Sequence, residues 1–300
     1  MNDIIKIIID CECKDLEEFI DLSPIENKQL LGLSNTYEDG EWRYSEFQDY
    51  LWDNISQAAL THKERESLLR KPGTLLKKSA KNLNLKKDGG EIGEILLYAI
   101  MKDYYKAISV VPKIFYKQNP NDPVKQADSV HIVIEGKNQF SLWLGEAKFF
   151  NSIEDNRFSE VVKSVSQTMV TDKLRKENRI ITNIQELDYI EIDENVKNKI
   201  RETLSEGNSI DNIKPLLHIP ILLLHEYEVL KKFKQFNEEF KESIKKYILE
   251  RAHSYFQKQI NKCKSVNMYS SIHFHLIIFP VPNKEQILSD FMRKANAFRN

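Results

Sequence analysis

Along this 300-residue chain the apolar positions change period several times, and each change predicts an element. Residues 1–14 read as a strand, and 32–40 as turn-rich. Over 45–60, Phe47, Tyr50, Leu51 and Ile55 recur at helical spacing. Thr61 followed by Glu64 is a capping-box pattern opening a short helix. Pro72-Gly73 breaks that helix, and a third is expected over about 74–83. Asp88 followed by Glu91 predicts another cap. The helix behind it, GEIGEILLYAIMKDYY, carries Ile92, Ile95, Leu96, Ala99 and Ile100 as one broad apolar face. Strands follow at 110–116, 129–135 and 140–150, with a turn at 119–123. A helix is expected at 158–175 and a short one near 196–204. The nearly uninterrupted apolar run at 216–224 has the pattern of a buried strand. A long amphipathic helix carries Phe233, Phe236, Phe240, Ile244, Tyr247, Ile248 and Tyr255 and ends near residue 261. A strand at 272–281 and a helix at 284–298 complete the pattern. From Gly90 onward this order describes an α/β sheet with helices on its faces.

Composition narrows the class. Hydrophobic content of 41% and charged content of 30% are those of an ordinary soluble globular protein. No apolar run approaches the roughly 18–20 residues needed to cross a bilayer, so no membrane association is expected. The first ten residues lack the length and cleavage site of an export signal. Three cysteines, Cys11, Cys13 and Cys263, cannot build a disulfide framework, and with no export signal they point to a reducing, cytoplasmic setting. Without a Walker A pattern, ATP hydrolysis is not expected. Net charge is -1, yet residues 63–87 hold nine Lys/Arg against two acids. Such a strip suits phosphate backbones, an acidic partner or simple solvation.

Glu-x-Lys occurs five times, at Glu12, Glu26, Glu135, Glu146 and Glu239. Only Glu146-Ala-Lys148 lies inside an apolar strand, between Leu142-Trp143-Leu144 and Phe149-Phe150. Charges in such a setting must be paired or bind a cation, because desolvation is costly. If Gly136-Lys137-Asn138 is a three-residue hairpin loop, Glu135 pairs with Gln139. Counting back, Asp128 then lies opposite Glu146 on the same face. Two carboxylates that close repel unless a cation stands between them. Oxygen ligands favour a hard ion, Mg²⁺ or Mn²⁺. Lys148, one pleat further on, would reach a scissile phosphate or position a water. A slip of one residue would undo this geometry.

A third carboxylate is expected from the preceding helix, Glu94 or its competitor Glu91, which also fits the capping box. Glu94, Asp128 and Glu146 are the expected metal ligands. Lys163 and Gln167, one turn apart on the following helix, are auxiliary candidates for phosphate or metal-bound water. His273-Phe-His275 places two imidazoles on one face of a strand, read as histidines at a sheet surface. Lys77, Lys78 and Lys81 of the basic strip are expected to guide DNA, with little sequence preference.

Glu94, Ala127-Asp128 and Glu146-Ala147-Lys148, in a helix–strand–strand–strand–helix–strand order, resemble the PD-(D/E)xK nuclease superfamily, with Ala-Asp where many members have Pro-Asp. More narrowly, GGEIGEILLY, KQADSVHIVI and LWLGEAKFF are similar to the HamA C-terminal-domain family, the effector subunits of the bacterial Hachiman anti-phage system. The resemblance spans about 89–175. It implies a metal-dependent DNase and a superfamily 2 helicase partner, HamB, that binds and restrains it. The implied fold is α/β: a PD-(D/E)xK restriction-endonuclease-like mixed sheet flanked by helices over 89–300, preceded by an N-terminal α+β region, 1–88, for docking a partner or DNA. A second reading, from another class, is a non-catalytic subunit that uses the nuclease fold as a scaffold for its helicase.

Overall fold

A computed structural model describes residues 4–85, 88–116, 127–136, 139–183 and 186–300. The strands are β1 (Ile5–Glu12), β2 (Lys28–Asn35), β3 (Tyr37–Glu38), β4 (Glu41–Trp42), β5 (Ile108–Val111), β6 (Ser129–Gly136), β7 (Gln139–Phe150), β8 (Leu217–Glu226) and β9 (His273–Val281). The helices are α1 (Tyr44–Ala59), α2 (His62–Leu68), α3 (Pro72–Lys81), α4 (Gly90–Asp103), α5 (Lys113–Tyr116), α6 (Asp155–Thr168), α7 (Thr171–Asn183), α8 (Glu186–Tyr189), α9 (Glu194–Thr203), α10 (Ile210–Ile213), α11 (Glu238–Cys263) and α12 (Lys284–Arg299).

Seven strands form one mixed sheet in the order β1-β2-β9-β8-β7-β6-β5. Its centre, β2-β9-β8-β7, is parallel, and both flanks are antiparallel. Parallel centres are covered on both faces, which is why Leu217 through His225 reads as an almost unbroken apolar run. One face packs α6, α7 and α11 through Phe158, Val161, Leu174, Ile244 and Tyr255. The other packs α1, α4 and α12 through Phe47, Leu51, Ile95, Leu96 and Ile287. Two strands and a covering helix from the first 88 residues are thus built into this sheet and its layers, and the sheet runs across the boundary expected there.

Several local expectations need correction. Residues 28–35, partly read as turn, form β2. Gly32 sits within that strand because a Cβ there would meet Ile9 Cγ2 at 2.6 Å and Ile248 Cδ1 at 2.8 Å. The strand expected at 110–116 stops at Val111, where Pro112 lacks the amide to continue a ladder, and α5 follows. The helix expected at 158–175 is two, α6 and α7, meeting at Met169-Val170 so that both Met169 and Leu174 are buried. The break read at Pro72-Gly73 is present, since α2 ends at Leu68, but these two residues then open α3 rather than precede it, at a position where a proline costs no hydrogen bond. Residues 233 and 236 precede α11, which Asn237 caps through the Phe240 amide at 3.0 Å. The capping box at Thr61 and Glu64 forms as read. The turn at 119–123 lies outside the described residues.

The β6–β7 hairpin pairs Ser129 with Gly145, Val130 with Leu144 and onward to Ile134 with Phe140. That is the register counted from the sequence. Nearer the loop it differs: Gly136, not Glu135, pairs with Gln139, and the irregularity between Ile134 and Gly136 absorbs the extra residue. Lys137 and Asn138 lie outside the described residues. Packing on α4 holds the register from behind. A Cβ on Gly145 would stand 2.2 Å from Ser129 Oγ and 2.8 Å from Leu97 Cδ2.

Candidate functional site

The candidate site grows from the end of this hairpin. Asp128 immediately precedes β6, and its amide donates to Gly145 O at 2.8 Å, extending the ladder by one residue. Its side chain turns towards β7, where Oδ2 accepts from the Ala147 amide at 3.1 Å. Ala147 lies between Glu146 and Lys148, so this one bond ties the first carboxylate to the Glu-x-Lys segment. Lys148 Nζ then stands 2.6 Å from Glu146 Oε1 and 4.0 Å from Asp128 Oδ2. One cationic nitrogen serves both carboxylates.

Exposure grades across the three. The Glu146 side chain is 4% exposed, Asp128 18% and Lys148 27%. Burial holds the Glu146 carboxyl above its ordinary value, and the neighbouring Asp128 charge adds to that; Lys148 and a hydrogen bond with Ser164 pull the other way. Burial alone would lower Lys148, but Glu146 and Asp128 more than reverse it, so the ammonium is held above lysine's usual range.

Asp128 and Lys148 line a cleft of about 980 Å³, together with Glu94, Glu91, Lys81, Arg157, Glu160 and Lys284. Helix α4 brings Glu94 there because its first turns lie on β7: a Cβ on Gly93 would touch Ala147 and the Lys148 backbone at ordinary contact distance. Glu94 is buried at the cleft wall. Glu91 has a different task. Its two carboxylate oxygens accept the amides of Asn84 and Leu85 at 2.7 and 2.8 Å. The expected capping box does not form; Gly89, with φ +76°, precedes the helix, and Asp88 Oδ1 accepts the Gly90 amide at 3.0 Å. Glu91 therefore anchors the approach to α4, while Glu94, like Asp128, lines the cleft.

The donor set suits a hard cation in part. Asp128 and Glu146 both address one positive centre, as Lys148 Nζ demonstrates, and both offer oxygen. Among the described residues, no group of three His, Cys, Asp or Glu side chains is gathered as a metal site.

Other expected residues are placed as follows. Lys163 is exposed, and Gln167 Oε1 accepts from Lys173 Nζ at 3.0 Å; neither lines the cleft. From α6 it is Arg157, Glu160 and Ser164, at helical spacing, that face the site. That three-then-four recurrence after the Glu-x-Lys strand was the available signal. Of the basic strip, Lys81 lines the cleft. Lys77 donates to Asn300 O at 2.8 Å, and Lys78 pairs with Glu64 at 2.7 Å. Lys284, which sequence reading passed over, donates to Phe149 O at 2.7 Å and stands over that ring. His273 and His275 lie on β9, which β8 separates from β7. His275 is buried rather than at the surface, 2.8 Å from His218 Nδ1, in a stack that includes Trp143. Burial pushes His218 down to about 3 and His275 well below its ordinary value. No helix among the described residues is long and apolar enough to cross a membrane.

The model of one protein family, HamA, matches residues 8–295. No curated protein matches the chain.

Proposed function

We propose that this chain, which belongs to the HamA family and is thereby a component of the Hachiman defence system, is its nuclease: a metal-dependent DNase of PD-(D/E)xK type that hydrolyses phosphodiester bonds with little sequence preference. The observation that carries this reading is the sharing of the Lys148 ammonium by Asp128, which lines an open cleft with it, and the buried Glu146. Mg²⁺ or Mn²⁺ would be held by that pair, with Glu94 contributing from α4. Bound there, the ion would supply Lewis acidity and an acidified water. Lys148, flexible and partly exposed, would turn its ammonium to a non-bridging phosphate oxygen as charge builds on it. Lys81 and Arg157, which line the cleft among several carboxylates, would meet the phosphate backbone without reading bases.

On this reading a partner helicase, HamB, would bind the chain in the cytoplasm and restrain its activity until infection or DNA damage. The test uses the full chain purified free of other proteins. Supercoiled plasmid should be nicked with Mg²⁺ and spared with EDTA, and Glu146→Gln should spare it in both. A wild-type chain that leaves plasmid intact in Mg²⁺ and Mn²⁺ while capturing the helicase would instead be a non-catalytic subunit on a nuclease scaffold.

A further inference from the structure

A buried ion pair behind the cleft invites a separate account. Lys113, at the start of α5, and Glu177, on α7, are 0% and 2% exposed, and Lys113 Nζ lies 2.8 Å and 3.1 Å from the two carboxylate oxygens. Taking two charges out of water costs more than their attraction returns unless further hydrogen bonds complete them, and an apolar pair of like volume would serve packing as well. One such further bond runs to the site. The amide of Ala127 donates to Glu177 Oε1 at 3.0 Å, and Ala127 is the residue before Asp128. A proline there, as in Pro-Asp, would have no amide to give.

The same pair reaches α4. Tyr98, one turn after Glu94, donates its hydroxyl to Val111 O at 2.6 Å and accepts the Lys113 amide at 3.1 Å. A continuous buried path therefore runs from α4 through Tyr98 and Lys113 to Glu177, from Glu177 to Ala127 and Asp128, and from Asp128 to the Ala147 amide between Glu146 and Lys148. It touches each of the three elements that bear the candidate carboxylates.

We propose that Glu177, held by Lys113, is a positioning residue: by accepting the Ala127 amide it sets where Asp128 stands relative to Glu94 and Glu146. Its role rests on reading Asp128 and Glu146 as the metal-holding pair. Groups that orient metal ligands from behind govern affinity by about 10–100-fold, and Glu177 orients Asp128 through one peptide unit.

Two double variants of the full chain separate this role from simple core packing. Both remove the ion pair, but only one keeps an acceptor for Ala127. Lys113→Met with Glu177→Gln retains an amide oxygen and should keep Mn²⁺ affinity and the hydrogen exchange of the Asp128 and Ala147 amides near wild type. Lys113→Met with Glu177→Leu removes the acceptor; it should weaken Mn²⁺ binding about 10–100-fold and speed exchange at both amides. Ala127→Pro deletes the donor while leaving Lys113 and Glu177 in place, though it also fixes φ, and should reproduce that loss, which keeps the test open if the leucine variant does not fold. Equal loss in both double variants, or loss in neither, overturns the proposal. A wild-type chain that binds no Mn²⁺ would defeat the nuclease reading instead, and the exchange rates of the metal-free variants would still decide whether Glu177 positions Asp128.

Discussion

Replacing Lys148 by methionine should separate holding the site together from operating it. The ammonium lies 2.6 Å from Glu146 Oε1. At an effective dielectric of about 20, that attraction is worth about 6 kcal/mol before desolvation. The lysine side chain is 27% exposed, so screening and desolvation reduce the net contribution to about 1–3 kcal/mol. In EDTA the variant should therefore melt about 2–12 °C below wild type, given roughly 2–4 °C per kcal/mol for large domains. Glu146 and Asp128 are then left facing each other without a cation. Added Mn²⁺ meets no competing ammonium, so it should raise the melting temperature of the variant more than that of wild type. On the proposed nuclease reading, cleavage should nonetheless fall by about 10²–10³-fold, because the group that would meet the developing phosphate charge is gone. Melting by differential scanning fluorimetry, with and without Mn²⁺, and plasmid relaxation provide the two readouts. A variant that melts like wild type in EDTA, or relaxes plasmid at the wild-type rate, would refute the reasoning.

Three further outcomes follow from the geometry. Glu91→Gln should cost about 1–3 kcal/mol of stability by weakening two bonds to backbone amides while leaving Mn²⁺ affinity intact; Glu94→Gln should do the reverse, as paired melting and titration calorimetry would show. Because the Glu146 carboxyl is held above its ordinary 4.5, its contribution favours the folded state below that pH and is lost as pH rises through the raised value; melting in EDTA should fall across this window, Mn²⁺ affinity should rise across it, and Asp128→Asn should shift the Glu146 titration down towards 4.5, a direction that NMR of the side-chain carboxyl would contradict if it moved up. Finally, Lys81→Ala should reduce the salt slope of DNA binding by about 0.9, whereas Lys77→Ala and Lys78→Ala, whose side chains are engaged with Asn300 and Glu64, should leave it unchanged in fluorescence anisotropy.

The hairpin was legible because its information is local. A period of two, a short loop and a single apolar Glu-x-Lys segment define which residues share a face, and the register over Ser129–Ile134 follows that count although the loop pairs Gly136 and not Glu135. Long-range packing was not legible. Strand β2 contains a glycine because Ile9 and Ile248 press on it, and neither neighbour announces itself near residue 32. The division between α6 and α7 carries no glycine or proline to mark it. The bonds that occupy Glu91 were not legible either, because the amides of Asn84 and Leu85 reach it only once the chain before α4 has folded back. Lysine counting located a basic strip but not its orientation, which is set by the partners of Lys77 and Lys78. Ser164, Arg157 and Glu177 were missed because polar residues on a helix look alike until a sheet lies beneath them.

The place of β9 bears on the order in which the molecule can be made. Lys28 near the amino end pairs with Phe274, and β8, the neighbour of β7, has β9 as its other partner. A ribosome thus releases β1 and β2 long before the strand that joins them to β8 exists, and pairings so distant in sequence form slowly. During that interval β2 exposes an open apolar edge. A nascent chain stalled before residue 273 would hold the β6–β7 hairpin but not the sheet that supports it, so synthesis itself delays completion of the cleft. Fusions or truncations that disturb residues 273–281 should therefore reduce soluble yield well before they alter any property measured at the hairpin.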